Sequence, residues 1–180
     1  MRKFFFRSGL VLLLFFLEMN FLNLFFFQAY AVNFSILLVI AWVVSVDFEK
    51  VWWPIFLLGF LHDLILSQKI GLFIIFFLCL AYVIGLISKK FIIEKRFSGF
   101  LLVIIFILVG LWMGEMLDIF LDNGFNFPNI WIDLKNNYFG GGKIFWSSLL
   151  AIICFYPVYK TVNNLEKYLS RLESRLRISL

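Results

Sequence analysis

The sequence predicts an all-α fold: a polytopic membrane bundle of six transmembrane helices with both ends in the cytoplasm. Three observations predict it. Hydrophobic residues make up 63% of the 180 positions and mean hydropathy is +1.00, more apolar material than the wetted surface of a soluble fold accommodates. The apolar residues fall in runs broken by short charged clusters. Lys and Arg concentrate in alternate connections between those runs.

The runs are Ser8 to Tyr30, Val32 to Val46, Val51 to Leu66, Ile70 to Ser88, Phe97 to Ile119 and Ile144 to Tyr159. A bilayer satisfies no free backbone amide, so each is expected to be helical. The second and third are shorter than the roughly 20 residues of an ordinary span. Joined by Asp47-Phe48-Glu49-Lys50, they form either a short tilted hairpin or one that dips in without crossing. In both cases the later spans keep their direction.

Charge sets the orientation. A cytoplasmic N-terminus puts Arg2, Lys3, Arg7, Lys50, Lys89, Lys90, Lys95, Arg96, Lys160, Lys167, Arg171, Arg175 and Arg177 inside. Only Lys69, Lys135 and Lys143 stay outside, so 13 of the 16 basic residues obey the positive-inside rule. The net charge of +5 therefore belongs to topology and to anionic head groups, and no nucleic-acid partner is expected. Residues 1–160 form one transmembrane domain and 161–180 a cytoplasmic basic amphipathic helix. Arg2-Lys3, an apolar run and Ala29-Tyr30-Ala31 imitate a cleaved signal peptide. The run is longer than a usual signal core and carries Glu18, so it is expected to be retained as the first span.

Charges inside apolar runs are costly and single themselves out. Glu18 is expected to be a neutral, hydrogen-bonded packing residue, ahead of a proton or substrate role. Asp63 follows Gly59 by one helical turn, so glycine and carboxylate share a face. A neighbouring helix can approach at Gly59 and bond to Asp63. The competing expectation is an interfacial carboxylate that keeps some water. His62 points about 100° away from Asp63, which makes the two no ready acid–base pair. In the fifth run Gly110 and Gly114 form a GxxxG, Asp118 repeats the Gly-x-x-x-Asp spacing, and Glu115 lies one turn from Asp118. Such a face allows a homo-oligomer.

No enzyme signature is present: no GxSxG, HExxH or phosphate-binding loop, and His62 is the only histidine. Cys79 and Cys154 sit in apolar runs and suit packing rather than a disulfide or a metal. The chain is expected to be no enzyme and to need no cofactor and no metal. Gly140-Gly141-Gly142 reads as a flexible outer turn. Past Pro157, Val158, Val162, Leu165, Leu169, Leu172 and Leu176 alternate steps of four and three, a coiled-coil seam with Glu166 and Glu173 beside it. Under three heptads it needs a partner helix or the inner leaflet to rest on.

Gly59-Phe60-Leu61-His62-Asp63, then Leu64-Ile65-Leu66-Ser67-Gln68-Lys69-Ile70-Gly71-Leu72, resembles the bacterial rod shape-determining protein family MreD. Pro54 before it and Ala81-Tyr82 after it suit the same pattern. The resemblance implies a non-catalytic, multi-pass inner-membrane subunit of the machinery that elongates the cell and builds lateral peptidoglycan. It implies a scaffold in contact with membrane lipid, an MreC-like protein, the actin-like MreB filament, and the wall polymerase and transpeptidase. Gly59, Asp63 and Gly71 would carry the matching hairpin. That family is thought to share its helical architecture with the substrate-binding subunits of energy-coupling-factor transporters. The alternative is therefore such a subunit, with Asp63, His62 or Glu115 lining an outward cavity.

Overall fold

The computed structural model describes residues 2–18, 33–66, 71–91, 97–123 and 143–178. Six helices account for them: α1 (Arg2–Leu17), α2 (Phe34–Ser45), α3 (Phe48–Leu66), α4 (Leu72–Phe91), α5 (Phe97–Asn123) and α6 (Lys143–Ile178). No strand occurs among the described residues. The stretch of the first run beyond Glu18, the Ala29-Tyr30-Ala31 site and the triple glycine lie outside them.

The shortest helix is the centre of the bundle. Asn33 starts α2 by accepting the Ile36 amide on its side chain at 3.0 Å, and Val46 ends it by donating its amide to Trp42 O at 2.8 Å. Between these caps Ser35 to Val43 are buried on every side. A helix that is apolar all round belongs in an interior, and α2 touches each of the other five, α6 most extensively. Twelve residues rise only about 18 Å, short of a bilayer core of about 30 Å. Around α2, the packed interior includes Trp42, Ile55, Phe73, Phe77, Ile84 and Ile107.

Three segments are long and apolar enough to cross a membrane: Leu72–Lys89 in α4, Leu101–Leu121 in α5 and Phe145–Leu172 in α6. Their outer faces carry Ile75, Leu86, Ile105, Trp112, Phe145 and Ile153, all around half exposed or more. Contiguous apolar surface of that kind calls for an apolar solvent. α1 and α2 are apolar but shorter, and Glu49, Lys50, His62 and Asp63 dilute α3.

α6 departs most from the sequence expectation. The last run and the basic tail form one uninterrupted helix of 36 residues, about 54 Å long, through Pro157 and past residue 160. Thr161 Oγ1 donates to the carbonyls of Pro157 and Val158 at 2.9 and 2.7 Å just beyond that proline. Val158, Val162 and Leu169 of the seam are buried, while Leu165 and Leu172 are half-buried. Their cover is the chain itself. Tyr168 meets Phe6 of α1 edge-on at 6.2 Å, and Glu166 pairs with Arg7. α6 therefore rests on other helices of the same chain, α2 foremost, and its tail reaches α1 through these two side-chain contacts. The side chain of Leu176 is outside the described residues.

Candidate functional site

His62 and Asp63 are neighbours in α3 and both are buried, yet they serve different joints. The Asp63 joint is a helical hairpin. Its Oδ1 accepts the Phe73 amide at 2.9 Å, and its Oδ2 accepts the amides of Gly71 at 2.9 Å and Ile74 at 3.3 Å. A helix leaves its first amides without intrahelical partners and carries positive charge at that end, so a carboxylate suits the first turn of α4. Gly71 makes the approach with φ of +108°, a left-handed backbone that favours glycine. Gly59 lets the helices close: a Cβ there would lie 2.6 Å from Ile74 Cα and 2.9 Å from its nitrogen. Asp63 is only 2% exposed, so it is a buried cap spent on backbone amides and not the partly watered interfacial carboxylate that its place near a span end suggested.

The second joint links α1, α2 and α3. Ser35 Oγ donates to Glu18 Oε2 at 2.5 Å, and His62 Nε2 lies 2.8 Å from Ser35 Oγ and 3.8 Å from Glu18 Oε2. The direction of the His62–Ser35 bond follows the imidazole tautomer, since Ser35 Oγ can donate or accept. Phe15, Phe73 and Phe77 surround the imidazole at centroid distances of 5.3, 5.3 and 5.4 Å. His62 Nδ1 is buried and has no hydrogen-bond partner among the described residues. A serine within bonding distance of a histidine invites comparison with a hydrolytic triad. There the carboxylate holds the far imidazole nitrogen, whereas Glu18 holds the serine, and Ser35 is 2% exposed. This geometry ties three helices together; it does not present a nucleophile.

A third construction lies at the opposite end of α1. Arg7 donates Nε to Glu166 Oε1 at 2.8 Å and Nη2 to Oε2 at 2.7 Å, and gives Nη1 to the carbonyl of Lys50. Trp42 Nε1 completes the set, donating to Glu166 Oε1 at 3.1 Å. One two-pronged pair therefore joins α1, α2, α3 and α6 where its members are about a tenth exposed. Sequence reasoning gave Arg7 only a topological role and Glu166 only a seam flank. The available signal was a carboxylate beside the seam of a basic tail together with an indole nitrogen in an otherwise apolar run. Ser35 was missed as well; a serine opening a helix resembles a cap.

Gly110 and Gly114 turn inward. A Cβ on Gly110 would lie 3.0 Å from Ile36 Cγ2, and one on Gly114 would lie 2.9 Å from Ile36 Cδ1. The GxxxG face is thus filled by α2 of the same chain. Glu115 is half-buried, and the Asp118 side chain is outside the described residues. Cys79 and Cys154 are free thiols, and no group of three metal-binding side chains occurs among the described residues. A groove of about 530 Å3 opens at the α2–α3 link, lined by Ser45, Asp47, Lys50 and Lys89 among others and by none of Asp63, His62 and Glu115. There Lys50 Nζ sits 3.0 Å from Asp47, and its hydrogen bond and charge hold the Asp47 carboxyl below the usual carboxylate range.

No family model, curated protein or solved structure matches this chain.

Proposed function

We propose that this chain is a non-catalytic, multi-pass subunit of the bacterial inner membrane that scaffolds the cell-elongation machinery, with both ends in the cytoplasm. The α3–α4 hairpin carries the reading. Gly59, Asp63 and Gly71, the residues on which the resemblance to the MreD family rests, are the ones that close this joint, and they do so by packing and capping. The orientation draws support from the 13 of 16 basic residues that it places inside. A scaffold needs rigid helices with apolar outer faces for the transmembrane segments of partners, and α4 to α6 offer such faces. In this reading the partners are an MreC-like protein, the actin-like MreB filament and the enzymes of lateral wall synthesis.

Depletion in a rod-shaped host tests it. Cells should round up, wall synthesis should disperse, and an MreC-like protein should co-purify with the tagged chain. Unchanged shape with no co-purifying partner contradicts the proposal. A small molecule retained through purification moves the assignment to the substrate-binding subunit of an energy-coupling-factor transporter.

A further inference from the structure

Charge lines the groove of about 530 Å3 at the α2–α3 link, where Lys50, Asp47 and Lys89 join an apolar lining that includes Val43, Val46 and Phe48. Two ammonium groups converge there. Lys50 acts on the Asp47 carboxyl by hydrogen bond and by charge, and the charge of Lys89 reaches the same carboxyl. Asp47 answers one lysine, so the lining keeps one positive charge in excess. Glu49 reaches Lys89 at 3.9 Å from outside the lining. Both ion pairs stand in solvent and are worth under about 1 kcal/mol each, so a well-placed anion can draw both lysines to itself.

An exposed row on α4 runs into the same groove. Ile75, Cys79, Tyr82, Leu86 and Lys89 follow one another by alternate steps of four and three, which puts them on one helix face, and all five are exposed. Lys89 is the last residue of the segment Leu72–Lys89 that is long and apolar enough to cross a membrane, so it marks the level where hydrocarbon gives way to head groups. The row is apolar as far as Leu86 and cationic at Lys89. That sequence of surfaces complements an apolar chain carrying an anionic head, and the groove supplies the room for the head. We propose that the groove holds the phosphate head group of an anionic phospholipid between Lys50 and Lys89, with an acyl chain along Ile75, Cys79, Tyr82 and Leu86. The inference rests on the bilayer setting of α4, not on the scaffold role.

Native mass spectrometry of the detergent-purified chain tests it, with palmitoyl-oleoyl phosphatidylglycerol as the probe and the phosphatidylcholine of identical chains as comparison. One phosphatidylglycerol should be retained in preference to phosphatidylcholine. Lys50→Gln together with Lys89→Gln should lower that preference about fivefold for each lysine removed. Lys50→Arg with Lys89→Arg keeps the charge and should keep the preference. Lys160→Gln with Lys167→Gln is the control, because it removes the same charge from exposed positions of α6 outside the groove lining. All four side chains are exposed, so the fold should hold, and a nearly unchanged melting temperature verifies it. Equal retention of the two lipids, an equal fall in the groove and control variants, or a loss in the arginine variant overturns the proposal. Glycerol phosphate carries the head without the chains and, in large excess, should leave the lipid in place. Displacement by it overturns the lipid in favour of a free phosphate ligand. A dimer that the glutamine pair in the groove dissociates also overturns it, in favour of a second copy of the chain.

Discussion

Arg7 and Glu166 stand 159 positions apart and meet in a two-pronged ion pair of 2.8 and 2.7 Å. Because the pair is largely buried and also binds Trp42 and the Lys50 carbonyl, removing one member strands the other. Arg7→Met or Glu166→Leu should each cost about 3–5 kcal/mol, while the double replacement should cost clearly less than the sum. Thermal unfolding in detergent, run as a double-mutant cycle, measures the difference.

Asp63→Asn keeps the size of the side chain but halves its accepting capacity. One of the two oxygens that serve three amides becomes an NH2 group facing donors. The expected loss is about 2–3 kcal/mol, the scale of hydrogen bonds to a charged group. Hydrogen exchange should show it first at the amides of Phe73 and Ile74.

The two kinds of glycine separate in alanine substitutions. Glycine to alanine inside a helix gains about 1 kcal/mol from propensity. At Gly59 the added carbon strikes the backbone of Ile74, so overpacking of about 1–3 kcal/mol should outweigh that gain. At Gly114 the nearest atom is the flexible end of Ile36, so Gly114→Ala should come out near neutral. Gly110→Ala and Gly114→Ala should leave the oligomeric state unchanged, since their face is already covered within the chain. Size-exclusion chromatography with light scattering reads that outcome.

Asp47 gives a small, signed pH effect. Lys50 lowers its folded-state pKa, so the stabilisation is present at neutral pH and is lost as pH falls through that lowered value. Both side chains are more than half exposed, so screening keeps the effect to roughly a few tenths of a kcal/mol. The stability gap between the native chain and Asp47→Asn should be that small at neutral pH and close in acid.

Local pattern made part of this legible. Spacing alone put Gly59 and Asp63 on one face, and in the structure that face meets α4. The same spacing marked Gly110 and Gly114 as a close-packing face but could not say whose helix fills it, because glycine signals proximity and not identity. The burial of α2 was encoded in its all-round apolarity, yet its shortness suggested one arm of a hairpin, not a hub. The Arg7–Glu166 clamp and the Glu18–Ser35–His62 joint were not legible. They unite residues 17 to 159 positions apart, and no helical or strand period relates such positions. The tail seam was visible, but which helices of the chain it meets is set by the tertiary arrangement and not by the seam's own spacing.

The central claim is that the buried carboxylates of this bundle serve fit and not turnover. The most direct test is complementation by Asp63→Asn in cells depleted of the native chain, scored per folded molecule in the membrane. Under the proposed scaffold role, rod shape should return in proportion to the amount folded, and more expression should repair any shortfall. A variant that folds and accumulates normally yet restores no shape at any level would contradict the account.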